Sequence, residues 1–269
     1  MTTTSAQNQY ALLIGANYTD VPMNTLRGCA EDIINVRNIL IDAYGYNPNN
    51  IVMLRDDMND PSKLPTRANI LQQMTAIVQN SANSGCKQIW IHYSGHGLDI
   101  LDENGNMVPS IVPIDYEKTG FITNREIFGI IQNIGCTAFL FFDCCYSGLI
   151  CDLEWSFQFQ SNLSFSRIQN NHLTIANPNI FMMSGCKDNQ TSAEAFDTME
   201  QEFVGAFTDA LIDALRDSNH NITLLNLYRN VCTYLASRGF SQVPVLSSSG
   251  QTPNYTFSRN TIVTIVNTI

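Results

Sequence analysis

The sequence predicts one α/β domain built on a mainly parallel central sheet with helices flanking both faces. Three observations carry that expectation. Compact apolar runs alternate with segments whose apolar residues recur at helical spacing, as in successive strand–helix–strand units. The runs are near-continuous in Ile, Leu, Phe and Val, the pattern of strands covered on both sides. The 269 residues are 44% hydrophobic and only 14% charged, which supplies a large core and excludes disorder.

Strands are expected over residues 10–16, 51–55, 88–93, 137–142 and 180–184. Between the first two, Ala30, Ile33, Ile34, Val36, Ile39 and Leu40 repeat at helical spacing and Gly45 follows as a stop. Residues 68–78 and 124–134 read as further helices, and the Gly-, Asp- and Pro-containing stretch 97–113 as a hairpin or loop. The first half is therefore βαβαβ-loop-αβ. Across 151–179 the periodicity fades into Ser, Asn and Gln, which predicts a linker or mobile loop between a larger part, 1–150, and a smaller part, 180–269. The smaller part offers helices over 203–216 and 224–237 and short apolar runs at 243–246 and 261–266.

Charge and composition narrow the function classes. The formal net charge of -10 disfavours nucleic acid and anionic membranes and favours cationic partners. The apolar runs fall far short of the roughly 20 residues of a spanning helix. No secretory signal is visible at the start, so a cytosolic location and free thiols for the eight cysteines are expected. With no CxxC pair, zinc-ribbon and thioredoxin readings drop out.

Two predicted strands end in unusual chemistry. One runs Ile89-Trp-Ile-His-Tyr-Ser-Gly-His-Gly97 and the other Phe139-Leu-Phe-Phe-Asp-Cys-Cys-Tyr-Ser-Gly148. Ligand crevices of open α/β sheets lie beyond the carboxyl ends of strands. Both tips finish in glycine, which lets the backbone turn sharply. A thiol with a pKa near 8.5 is only slightly ionised at neutral pH, and an adjacent imidazole raises the thiolate fraction and later protonates a leaving amine. Strand alternation places Ser94 with His96 on one side, and Asp143 with Cys145, while it turns Cys144 to the opposite face.

Seven segments, in order, resemble the metacaspases, cysteine peptidases of the caspase-like clan, and their type I members in particular. They are Ala11-Leu-Leu-Ile-Gly-Ala-Asn-Tyr18, Leu26-Arg-Gly-Cys-Ala-Glu-Asp32, Pro65-Thr-Arg-Ala-Asn-Ile70, His92-Tyr-Ser-Gly-His-Gly97, Asp143-Cys-Cys-Tyr-Ser-Gly148, Ser184-Gly-Cys-Lys-Asp-Asn-Gln-Thr-Ser-Ala193 and Gly205-Ala-Phe-Thr208. The separation of His96 and Cys145, about 50 residues, is that of the caspase pair. The resemblance implies a caspase-like (caspase/hemoglobinase) fold and a monomer. It makes Cys145 the nucleophile, His96 the general base and acid, and the N–H groups of Cys145 and Gly97 an oxyanion hole. It assigns Asp32, Ser94 and Asp143 to an acidic pocket for Arg or Lys at the residue preceding the cleaved bond, so the expected partners are proteins or peptides carrying those residues.

The chain departs from the family at several points. Tyr146 stands where His usually follows the nucleophile. In calcium-dependent relatives the loop after the catalytic His is rich in Asp, and a following Asp-Asp pair helps hold the ion. Here the loop is Leu98-Asp-Ile-Leu-Asp-Glu-Asn-Gly-Asn-Met107, and the pair aligns with Asn124-Arg125. Of the implied ligands only Asp152 is retained. A hard cation takes six to eight oxygen ligands, so no cofactor is expected and activity should be calcium-independent or only weakly calcium-sensitive. Only about nine residues precede the first strand, so regulation by a prodomain is not expected. Arg167, alone among Ser and Asn in the linker, is the candidate site of self-cleavage.

Blander readings stand beside these. His92 fits a satisfied core histidine, Cys144 a packed thiol, and Asp32 a simple helix-dipole acid. Cys29, Cys86, Cys136, Cys151, Cys186 and Cys232 are expected to pack or lie idle. Asn17-Tyr-Thr and Asn254-Tyr-Thr are read as accidents of composition rather than glycosylation sites. Two His and two adjacent Cys offer poor tetrahedral spacing for zinc. Tyr146 and the altered loop also leave open a non-catalytic caspase-like module that binds partners.

Overall fold

Burial on both faces organises the chain around one large sheet. The computed structural model describes residues 8–20, 25–82, 85–145, 147–159, 164–185, 205–240 and 242–260. In chain order it runs β1 (Asn8–Gly15), α1 (Cys29–Asp42), β2 (Ile51–Arg55), α2 (Arg67–Ser81), β3 (Cys86–Ser94), β4 (Gly97–Leu101), β5 (Met107–Ile111), α3 (Tyr116–Thr119), β6 (Ile122–Thr123), α4 (Asn124–Ile131) and β7 (Thr137–Asp143). It continues with β8 (Trp155–Phe159), β9 (Phe165–Gln169), β10 (Ile180–Ser184), α5 (Ala206–Asp217), β11 (Ile222–Thr223), α6 (Leu224–Ser237), β12 (Val245–Ser248) and β13 (Thr256–Phe257).

The main sheet has the order β2-β1-β3-β7-β10-β12-β8-β9. Its first five strands in that order pair in parallel and are the five that the sequence predicts. The last three extend the sheet antiparallel. Side chains alternate between two cores. Trp90, Phe139 and Phe141 face α1, α5 and α6, whereas Ile91, Leu140 and Phe142 face α2 and α4. A continuous apolar strand is the consequence of having a helical layer on each side. No described helix is long and apolar enough to cross a membrane.

Helix boundaries follow local chemistry. Thr123 and Glu126 form a capping box at α4, and the hydroxyls of Thr66 and Thr223 cap α2 and α6. The Arg67 guanidinium pairs with the Glu126 carboxylate and ties α2 to α4. The stretch 97–113 is a true hairpin, in which β4 pairs with β5, and β6 completes a small second sheet.

The expected linker over 151–179 needs correction. It carries β8 and β9, paired in register from Trp155↔Gln169 to Phe159↔Phe165, and they form one edge of the main sheet. The sequence of β8, Trp155-Ser-Phe-Gln-Phe159, alternates with period two, whereas that of β9, Phe165-Ser-Arg-Ile-Gln169, does not. An edge strand with one wet face needs no continuous apolar run, so the polar composition around it obscures the period. The helix expected from 203 begins at Ala206, while 203–204 and the run 261–266 lie outside the described residues.

Candidate active site

The carboxyl ends of β3 and β7 are adjacent, with Ser94 and Asp143 as register partners on one rung. Gly15 of β1 pairs with Ser94 on the other side. A Cβ at Gly15 would lie 2.4 Å from the carbonyl oxygen of Cys29. Only a glycine therefore lets the start of α1 press onto the strand tips, and that contact carries Asp32, in the first turn of α1, over Ser94. The Ser94 hydroxyl donates to Asp32 Oδ2 at 2.6 Å.

Asp143 is only 1% exposed. Its Oδ2 accepts from both the backbone N–H (2.8 Å) and the hydroxyl (2.7 Å) of Thr208, in the first turn of α5. A carboxylate at a helix N-terminus satisfies a backbone donor and opposes the positive end of the dipole. Gly205, at φ +89°, turns the chain into α5, and a Cβ there would sit 3.4 Å from Asp32 Oδ1. A Cβ at Gly185 would sit 3.6 Å from Asp143 Oδ1. Each acid thus borders the backbone of a glycine.

Burial and then the negative charge of Asp143 push the Asp32 carboxyl up to about 8, against the Ser94 hydrogen bond. Burial likewise pushes Asp143 up to about 6, against the two Thr208 hydrogen bonds. Neither carboxyl has a cationic partner among the described residues. His92 lies fully buried behind them, with Nε2 3.1 Å from the Thr208 hydroxyl and its ring nearly parallel to that of Phe141. Because that hydroxyl donates to Asp143, the Nε2 tautomer donates to the hydroxyl. Burial lowers the imidazole to about 3, so it stays neutral, a core histidine satisfied at Nε2 while its Nδ1 has no hydrogen-bond partner among the described residues.

His96 is 6% exposed and held by two tyrosines. Its backbone N–H donates to the Tyr18 hydroxyl at 3.0 Å, the Tyr93 hydroxyl donates to its carbonyl at 2.7 Å, and the Tyr18 ring lies 4.7 Å from the imidazole, centroid to centroid. Tyr18 sits at φ 55°, a left-handed backbone uncommon for a bulky residue, and its hydroxyl donates onward to Val112 at 2.7 Å. Sequence reasoning assigned neither Tyr18 nor Thr208 a role, although each closes a matched segment.

The backbone at Gly97 meets the β7 tip directly. A Cβ there would lie 2.2 Å from the Cys145 carbonyl oxygen and 3.0 Å from Cys144 Sγ. Cys145 is half-buried, whereas Cys144 is buried among Phe142, Ile150 and Leu153, on the face opposite Asp143. Tyr146 lies outside the described residues, as do 186–193 of the matched segment that begins at Ser184.

The residues aligned with the calcium ligands do not fit that ion. Asn124 Nδ2 donates to Asp152 Oδ2 at 2.8 Å, and the Arg125 guanidinium pairs with Asp102 at 2.7 Å. An amide therefore occupies the one retained acid, Asp152, and a cation sits next to that amide in sequence, paired with Asp102. Among the described residues no group of three or more His, Cys, Asp or Glu could hold a metal.

Arg167 is not brought to this site. It lies in β9, four strands from β7, with its guanidinium 4.8 Å over the Trp155 ring and donating to the Gln251 carbonyl at 3.1 Å. At about 4.8 Å per strand, that is roughly 19 Å across the sheet.

Known proteins share this architecture. Residues 9–154 match the family model described as metacaspase, peptidase C14 domain. The chain is 31% identical to Metacaspase-1 of Saccharomyces cerevisiae, over 89% of its own length and 66% of that protein's. It is 30% identical to Metacaspase-1 of Scheffersomyces stipitis, over 89% and 70% respectively. The chain thus spans about two-thirds of the curated relatives it matches. The crystal structure of Caspase-1 from Spodoptera frugiperda superposes with a TM-score of 0.59 at 12% identity, covering 93% of this chain and 92% of that one. A Geobacter sulfurreducens protein gives 0.60 at 19%, covering 91% and 94%. These two likenesses establish a caspase-like fold. With the family model matching more than half of its residues and fungal members aligned along most of its length, the chain belongs to the metacaspase family, peptidase C14.

Proposed function

We propose that this chain is a cysteine endopeptidase that cuts after Arg or Lys, with Cys145 as nucleophile and His96 as general base and acid. The observation that carries the reading is the pair of buried carboxyls, Asp32, which accepts from Ser94, and Asp143, the register partner of Ser94, with no cationic partner for either among the described residues. Buried charges are normally paired, so an acid pair of which Asp143 stands two residues before Cys145 favours a guanidinium or ammonium brought by the substrate.

In this reaction His96 takes the Cys145 proton and the thiolate attacks the scissile carbonyl carbon. The N–H groups of Cys145 and Gly97 stabilise the oxyanion. The C–N bond then breaks, His96 protonates the leaving amine, and a thioester remains on Cys145 until water, deprotonated by His96, hydrolyses it. No step needs a metal. The test is turnover of Arg-, Lys- and Asp-ended fluorogenic peptides, each with calcium and with chelator. Arg and Lys are expected to be cut and Asp refused, with calcium changing the rate less than about twofold, because Arg125 and Asn124 already satisfy Asp102 and Asp152. Obligatory millimolar calcium would overturn the calcium reading, and no turnover at all would leave a binding module.

Self-cleavage at Arg167 requires β9 to leave β8, since a peptidase cleft takes an extended, unpaired chain. We therefore expect it to proceed between molecules. Active protein incubated with the Cys145→Ala variant should yield fragments split after Arg167, and Arg167→Ala in the target should remove them. Fragments that persist after that substitution would end the assignment.

A further inference from the structure

At the opposite end of the same two strands from the candidate active site, two cysteines meet. Cys86 opens β3, and Cys136 immediately precedes β7. Their sulfurs are 2.9 Å apart, and both are free thiols. We propose that Cys86 and Cys136 form a peroxide-reactive dithiol, a modification site that closes reversibly to a disulfide and lies remote from Cys145.

Three features support the site. The first is reach: a sulfur–sulfur bond is about 2.05 Å, so less than about an ångström of approach is needed, and the two cysteines sit at the starts of neighbouring strands. The second is fixation of both backbones. Cys86 pairs with Asn8 of β1. Around Cys136, Asn177 Nδ2 donates to its carbonyl at 2.7 Å and to that of Ile134 at 3.0 Å, while the Gly135 N–H donates to the Ser81 hydroxyl at 3.0 Å. Two thiols held in contact by rigid neighbours react far faster than two free ones.

The third is an asymmetry that assigns the roles. Cys86 is half-buried and within reach of a small oxidant, whereas Cys136 is 9% exposed. The contact between the two sulfurs lowers the Cys86 thiol, and the same contact together with burial raises Cys136. Cys86 is therefore the attacking sulfur and Cys136 the resolving one.

The chemistry balances with hydrogen peroxide as the oxidant. The Cys86 thiolate attacks one peroxide oxygen, the O–O bond breaks, and Cys86 sulfenic acid and, after protonation, water result. The Cys136 sulfur then attacks the sulfenic sulfur, the S–O bond breaks, and the hydroxide that leaves takes the Cys136 proton as a second water. Two thiols lose two protons and two electrons, and the peroxide is reduced to water. A dithiol such as dithiothreitol reverses the change by exchange.

The experiment uses the full chain carrying Cys145→Ala, which removes the candidate active-site nucleophile. It is treated with about one equivalent of hydrogen peroxide per Cys86, since two thiols reduce one peroxide. Free thiols are then blocked with N-ethylmaleimide and the digest is mapped by mass. The expected product is a peptide pair linked through Cys86 and Cys136 that dithiothreitol separates. In a Cys136→Ser chain, dimedone should instead trap Cys86 as the sulfenic acid. Equal alkylation of Cys86 and Cys136 with and without peroxide overturns the proposal, and so does linkage of Cys86 to any other cysteine. The first mapping leaves both positions in place, so it does not depend on how a variant at either one folds.

Discussion

Replacing Cys145 with Ala is expected to lower kcat/KM for an Arg-ended peptide by at least about a thousandfold, and adding His96→Ala is expected to cost little more. The reason is that in the proposed mechanism the two groups act as one unit. Without a thiol the imidazole has no proton to take, and without the imidazole the thiol stays mostly unionised, so the second loss removes what the first already disabled. Cys144→Ala supplies the control. That thiol packs among Phe142, Ile150 and Leu153, so its loss leaves a small cavity and should lower the melting temperature while turnover stays within a few-fold. Both chains would be checked by thermal unfolding before the kinetics are read. If Cys144→Ala silences the enzyme and Cys145→Ala does not, the assignment of sulfurs is reversed. If the double substitution is much worse than either single one, the two residues do not work together.

That contrast between adjacent cysteines was legible in the sequence because a strand has a period of two. Trp90, Phe139 and Phe141 belong to one core and Ile91, Leu140 and Phe142 to the other, and the alternation runs on to Asp143 and Cys144. The same continuous apolar runs located the five parallel strands, two of them with the observed ends, Ile51–Arg55 and Ile180–Ser184. What stayed hidden lacks a strong local signal. β8 and β9 are short strands, the alternation of β8 is drowned by neighbouring Ser and Asn, and β9 does not alternate. Thr208 serves Asp143 from 65 positions away, a contact that depends on where α5 docks. Tyr18 adopts a left-handed backbone that propensity gives no reason to expect of tyrosine. The pairing of Cys86 with Cys136 depends on which strands are neighbours, and the segments taken singly do not contain that information.

Asp32→Asn is expected to stabilise the substrate-free protein at neutral and mildly alkaline pH while cutting turnover of Arg peptides by on the order of a hundredfold, equivalent to about 3 kcal/mol. Both effects have one cause. A carboxyl has a pKa of about 3.9 in an unfolded chain, whereas burial and the charge of Asp143 hold that of Asp32 at about 8. Between those values the folded state binds more protons than the unfolded one, so stability falls as pH rises through the window. Asn carries no such charge, and its side-chain oxygen still accepts from the Ser94 hydroxyl. The melting temperature of the natural protein should therefore decline from about pH 5 toward pH 9 more steeply than that of the variant. Turnover moves the other way. A substrate guanidinium needs the carboxyls ionised, so kcat/KM for an Arg peptide rises with pH across the same range and the rise shrinks in Asp32→Asn. A citrulline-ended peptide, uncharged but of similar shape, separates charge from fit: the natural protein should strongly prefer Arg, and the variant should lose most of that preference. Unchanged Arg preference in a folded Asp32→Asn protein would show that the acid pocket does not receive the substrate, and a melting temperature lowered at every pH would show that Asp32 is there to hold α1 in place.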